Sequence, residues 1–135
     1  MQRVLVIDDE TYVREALVRV LTTPEITVVD ASTADAGFAA MREHPADLII
    51  IDVILAGMDG VAAIRQIRHD YPGVRIIAIS GGGNFGLSSY QPEAISTTAY
   101  LAACTAAGAD RTLAKPFETA ELRLLIDQLS TAERT

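Results

Sequence analysis

Leu48-Ile49-Ile50-Ile51-Asp52 is the stretch that decides how this chain is read. Four large aliphatic residues in a row, rich in β-branching and too short for a helix, predict a strand buried on both faces. The run ends in a carboxylate. Val53-Ile54-Leu55-Ala56-Gly57-Met58-Asp59-Gly60 comes next, and its glycines mark a loop before the following helix. An acid at the C-terminal end of a central parallel strand stands where open α/β sheets place their ligand chemistry. Taken by itself, Asp52 serves equally well as a cap for the adjoining segment, so the rest of the chain has to decide.

Working outward, Val4-Leu5-Val6-Ile7 is a second apolar run that ends in acid, at Asp8-Asp9-Glu10. Ile26-Thr27-Val28-Val29, Arg75-Ile76-Ile77-Ala78-Ile79 and the short Thr112-Leu113-Ala114 read as further strands. Between them lie apolar residues at helical spacing. Val13, Leu17, Val18 and Leu21 mark a helix over Thr11 to Leu21, and Ala36 to Met41 one over Asp35 to Arg42, stopped by His44-Pro45. Val61, Ile64 and Ile67 mark a third, ended by Tyr71-Pro72-Gly73. A fourth runs from Pro92 to Ala107 with Gly108 at its C-terminal stop, and a fifth from Glu118 to Leu129 with Leu122, Leu125, Ile126 and Leu129 inward. Five strands alternating with five helices predict a doubly wound α/β domain with a parallel sheet. It spans residues 1–130, with 131–135 as a frayed tail.

Composition narrows the function. The 135 residues suit one core, half of them are hydrophobic, and Trp is absent. A formal net charge of −7 argues against direct nucleic-acid binding, which needs clustered Lys and Arg. The single cysteine, Cys104, excludes an internal disulfide and a Cys-based zinc site, and reads as a small buried residue. No apolar run reaches the length of a membrane span and no signal segment leads the chain, so the expected compartment is the cytoplasm. His44 and His69 have no metal-binding spacing and read as exposed helix ends.

The strand ends carry the chemistry. Asp8 and Asp9, Asp52, Ser80 and Lys115 all fall just past the C-termini of predicted strands, so one sheet edge collects them. Converging carboxylates repel one another unless a cation shares them. Hard oxygen ligands with open positions suit Mg²⁺, which accepts a substrate phosphate in turn. A hydroxyl and an ammonium opposite the metal can hold the remaining phosphoryl oxygens, leaving a carboxylate free to attack phosphorus.

Ile7-Asp8-Asp9-Glu10, Asp52 with Gly57-Met58-Asp59-Gly60, Ser80-Gly81, Gly108-Ala109-Asp110 and Lys115-Pro116-Phe117 together resemble the receiver domain of bacterial response regulators. The resemblance covers nearly the whole chain and implies the sheet order 2-1-3-4-5. It implies Asp52 as phosphoacceptor, Asp9 as direct Mg²⁺ ligand, Asp8 as an acid acting through water, and the Ile54 carbonyl as a further ligand. It implies Ser80 as the hydroxyl that meets the phosphoryl group and Lys115 as the cation paired with it. The phosphoryl donor would be a sensor histidine kinase or histidine phosphotransfer protein. The domain would catalyse its own phosphorylation and dephosphorylation and signal through contacts with a downstream protein not identifiable from the sequence.

Departures from the family pattern bear on the readout rather than the chemistry. Ala56 stands where Pro is common, and Thr112 where an aromatic usually swings inward. The stretch from Ser80 to Lys115 is longer than usual, so residues 81–91 are a candidate replacement for the missing aromatic as the moving part. Ile54 offers no polar group to orient an attacking water, which implies a long-lived phosphorylated state. Two other functions stand beside this one: a receiver kept only as a binding scaffold, and a flavodoxin-like cofactor or nucleotide binder using the glycine-rich stretch after Ser80.

Overall fold

The computed structural model describes residues 2–55, 58–80, 92–115 and 117–131. Met1, Ala56, Gly57, the glycine-rich stretch 81–91, Pro116 and the tail 132–135 lie outside the described residues.

Five strands form one parallel sheet: β1 (Gln2–Ile7), β2 (Ile26–Ala31), β3 (Leu48–Asp52), β6 (Arg75–Ser80) and β7 (Arg111–Ala114), in the order β2-β1-β3-β6-β7. Counting only these five, the order is 2-1-3-4-5, as expected. The two remaining strands, β4 (Ile54–Leu55) and β5 (Met58–Asp59), pair antiparallel as a separate ribbon, Ile54 with Asp59 and Leu55 with Met58. The sequence predicts a plain loop there. Two residues a side carry no detectable periodicity, and the ribbon is fixed instead by its surroundings: the Gly60 N–H donates to the Val53 carbonyl at 3.1 Å, closing its base.

Helices α1 (Thr11–Leu21), α2 (Ala34–Glu43), α3 (Gly60–Asp70), α4 (Pro92–Ala107) and α5 (Thr119–Thr131) connect the strands. The period of two along each strand sorts their side chains between two cores. Leu5, Ile7, Ile49, Ile51, Ile76 and Ala78 meet Met41 of α2, Ile64 and Ile67 of α3 and Cys104 of α4. Val4, Val6, Leu48, Ile50, Ile77 and Ile79 meet Leu17 and Leu21 of α1 and Leu122, Ile126 and Leu129 of α5. β3 is buried along its whole length, because both layers cover it.

Local chemistry sets the helix ends. The Thr33 hydroxyl caps α2 by accepting from the Ala36 N–H at 3.0 Å, and the Asp59 carboxylate caps α3 by accepting from the Val61 N–H at 2.9 Å. α4 stops at Gly108, whose φ of +129° only glycine adopts without strain. Its N–H and that of Ala109 both donate to the Cys104 carbonyl. Arg68 of α3 clasps this turn: its guanidinium donates to the carbonyls of Gly108, Pro72 and Val74 and to the Asp110 carboxylate. Asp110 in turn accepts from the Ile76 N–H at 2.8 Å, tying the turn to the start of β6.

Strand register positions the functional edge. Ile7 pairs with Ile51, so Asp8 leaves its strand level with Asp52. Ser80 pairs with Ala114, so Lys115 leaves β7 one step past the end of β6.

Candidate functional site

The turn after β1 is held from three directions. The Asp8 N–H donates to the Ala31 carbonyl at 3.1 Å, and one oxygen of its carboxylate accepts from the Glu10 N–H at 2.9 Å. Arg14, one turn into α1, donates from Nη1 to the Asp8 carbonyl at 2.8 Å and from Nε to Asp30 Oδ2 at 2.9 Å. A local Asx turn, a strand-like bond and a helix arginine therefore fix where the first acid points.

Lys115 Nζ sits among three carboxylates, 3.0 Å from Asp8 Oδ2, 3.1 Å from Glu10 Oε1 and 3.1 Å from Asp52 Oδ2. An ammonium has three N–H donors, and each finds an acceptor. Asp8 and Asp52 are buried, Lys115 nearly so, and Glu10 half-exposed. Burial by itself lowers the ammonium's pKa, but the charges of Asp52 and Asp8 and the hydrogen bonds to both outweigh it and leave the pKa above the ordinary lysine value. Lys115 is also the only lysine among the 135 residues; the other ten basic side chains are arginines. An ammonium is the compact point charge such a nest accommodates, where a planar guanidinium would not fit as readily.

This arrangement tests whether the site suits a metal. Ligand oxygens of Asp8, Glu10 and Asp52 lie within 4.8 Å of one another, a spacing that a single hard cation can bridge, and Lys115 already stands among them as an organic stand-in for one. The two buried carboxylates of this group, Asp8 and Asp52, fit a hard divalent ion such as Mg²⁺, with the ammonium displaced from part of the nest.

Of the sequence-derived residues, the structure brings Asp8, Asp52 and Lys115 together. Asp9 is exposed and lies outside the three-acid group. Ser80 closes β6 level with Ala114, and Ile54 opens β4 two residues past Asp52; the side chains of both fall outside the described residues. Thr112 is half-buried in β7 opposite Ala78. Cys104 is buried, and desolvation, with a smaller contribution from the charge of Asp59, pushes its thiol up to about 11. His44 and His69 are exposed, as expected. Sequence reasoning missed two residues, Glu10 and Arg14. Adjacency to Asp8-Asp9 was a signal for Glu10; for Arg14 there was none, because its partner Asp30 is supplied by β2.

Among the described residues, no helix is long and apolar enough to cross a membrane.

The model of the response regulator receiver domain matches residues 4–127. The chain is 27% identical over 132 residues to the DNA-binding transcriptional regulator NtrC of Salmonella typhimurium, covering 95% of this chain and 25% of that protein. It is 30% identical over 121 residues to the DNA-binding response regulator MtrA of Mycobacterium leprae, covering 90% of this chain and 48% of that one. The chain thus spans a quarter to about half the length of these curated relatives. Among solved structures it resembles a two-component response regulator of the LuxR family from Aurantimonas sp. SI85-9A1, with a TM-score of 0.80 and 26% identity over 99% of this chain and 88% of that one. With the family model covering almost all of the sheet and helices, the chain belongs to the response regulator receiver domain family.

Proposed function

We propose that Asp52 is the phosphoacceptor of this receiver domain, taking a phosphoryl group from a sensor histidine kinase or a histidine phosphotransfer protein. The observation that carries the reading is the contact between the buried Asp52 carboxylate and Lys115, beside Asp8, at the C-terminal edge of the central strand. Asp8, Asp9, Asp52 and the Ile54 carbonyl are the groups that would hold Mg²⁺. When bound, the ion supplies positive charge to the transferring phosphoryl oxygens.

In the transfer, an Asp52 carboxylate oxygen attacks phosphorus in line with the leaving group. A P–O bond forms as the donor's P–N bond breaks, and the donor histidine leaves with the electron pair. Lys115 exchanges its bond to Asp52 for one to a phosphoryl oxygen, and the Ser80 hydroxyl donates to another. Water later attacks phosphorus and returns Asp52 to a carboxylate. Ile54 presents no polar group to that water, so the acyl phosphate decays slowly. Output passes through contacts with a downstream protein.

Incubation with acetyl phosphate and Mg²⁺, then intact mass measurement, tests the reading. The wild type gains about 80 Da as an acid-labile adduct, the mass of one phosphoryl group. Asp52→Asn gains none, because an amide is a poor nucleophile towards phosphorus. Equal labelling of the two overturns the assignment; no labelling of the wild type favours a receiver used as a binding scaffold.

A further inference from the structure

The three acids around Lys115 are not equivalent. The side chains of Asp8 and Asp52 are 3% and 6% exposed, that of Glu10 50%. Glu10 is also the N-cap of α1, yet its carboxylate makes no cap bond to its own helix. A carboxylate at a helix start has unpaired N–H groups at hand. That of Glu10 instead reaches Lys115 at 3.1 Å across a sequence separation of 105.

We propose that Glu10 is a positioning residue for Lys115: it is the partner the ammonium keeps when Asp8 and Asp52 turn to a metal ion and a phosphoryl group. The inference rests on the proposed phosphoacceptor site and assigns a role that the site's chemistry leaves open. A divalent cation between Asp8 and Asp52 repels the ammonium and competes for the same oxygens. With only two buried acids, Lys115 would either stay and oppose the metal or leave for water and lose its reach to the phosphoryl group. The third acid, on the rim, lets the lysine withdraw a short way and remain paired. Its exposure suits that role, since a water-screened pair is easily rearranged. Glu10 therefore eases metal entry by acting on the lysine and makes no bond to the metal itself.

Mg²⁺ titration by calorimetry across wild type, Glu10→Gln, Lys115→Met and the double variant isolates the coupling. With Lys115 present, Glu10→Gln weakens Mg²⁺ binding about three- to five-fold, the range set by a half-exposed ion pair. In the Lys115→Met background the same change weakens it less than about two-fold. Equal loss in both backgrounds makes Glu10 a direct ligand or a bulk charge, and no loss in the first makes its contact incidental; either result overturns the proposal. A second measurement needs no lysine variant. Because Lys115 is the only lysine, acylation by an amine-reactive ester can be read at that one side chain by peptide mass. In saturating Mg²⁺, Glu10→Gln reacts faster at Lys115 than the wild type; equal rates overturn the proposal. A wild type that takes up no Mg²⁺ overturns the phosphoacceptor site itself and this inference with it, an outcome recognised by the absence of any metal effect in all four proteins.

Discussion

Lys115 Nζ lies 3.1 Å from Asp52 Oδ2, joining side chains 63 positions apart. Asp52 is fixed by β3 and Lys115 by β7, with β6 between them in the sheet. The contact forms only when these three strands are in register, so it reports on a finished sheet. It also means that the ionic site is assembled by non-local pairing rather than by any one motif.

Separating Asp8 from Asp9 tests the metal set. Without metal, Asp8→Asn loses the charge-assisted bond to Lys115 and costs about 1–2 kcal/mol, while Asp9→Asn, exposed and outside the acid group, stays within about 0.5 kcal/mol of wild type. Saturating Mg²⁺ raises the wild-type melting temperature, and both variants lose most of that gain. An Asp9→Asn protein with the full gain removes Asp9 from the ligand set.

The raised pKa of Lys115 sets a pH dependence. Burial opposes the rise, but Asp52 and Asp8 outweigh it, so the folded pKa lies above the ordinary 10.5. A group whose pKa is raised by folding contributes its full stabilisation below the unfolded value and loses it as pH climbs through the folded one. Metal-free melts therefore lose this contribution only above about pH 10. The wild type falls more steeply there than Lys115→Met; parallel curves show that the ammonium is not held by the nest.

Gly60→Ala probes the floor of the site. A Cβ at Gly60 overlaps the Val53 backbone, which adjoins Asp52 directly and has no flexible end to swing aside. The substitution costs about 1–3 kcal/mol by overpacking. Chemical denaturation measures the loss, and slower labelling by acetyl phosphate shows that the displaced backbone carries Asp52 with it.

Arg68→Ala unfastens the turn after α4. It strips hydrogen bonds from three carbonyls and leaves Asp110, 13% exposed, without its guanidinium partner. The expected cost is about 3–5 kcal/mol in denaturant melts. Arg68→Lys recovers little, because one ammonium cannot reach four acceptors on separate segments.

Much of the fold was legible in the sequence for a simple reason. Strands buried on both faces read as unbroken aliphatic runs, and the β3 run ends in Asp52, the acid that meets Lys115. The bounds of α1 and α4 came from periodicity and from Gly108. Periodicity cannot carry a two-residue ribbon such as β4–β5, or a clasp such as Arg68, whose partners come from two separate turns. The site was legible as far as strand ends go: Asp8, Asp52 and Lys115 share an edge because parallel strands end together. Which acid turns inward is a matter of side-chain direction in the β1–α1 turn, and there Glu10 rather than Asp9 joins the lysine.

The Arg68 clasp gives α4 a fixed end and a far end. The helix has 16 residues, a rod of about 24 Å at 1.5 Å per residue. With Gly108 held, a tilt of about 10° would displace the Pro92 end by about 4 Å and the clasped end hardly at all. Pro92 lies on the Ser80 side of the chain and Gly108 on the β7 side. The fulcrum of any such tilt lies at the opposite edge of the sheet from the acids, and its travel would be largest at the end that comes after the strand beside Asp52.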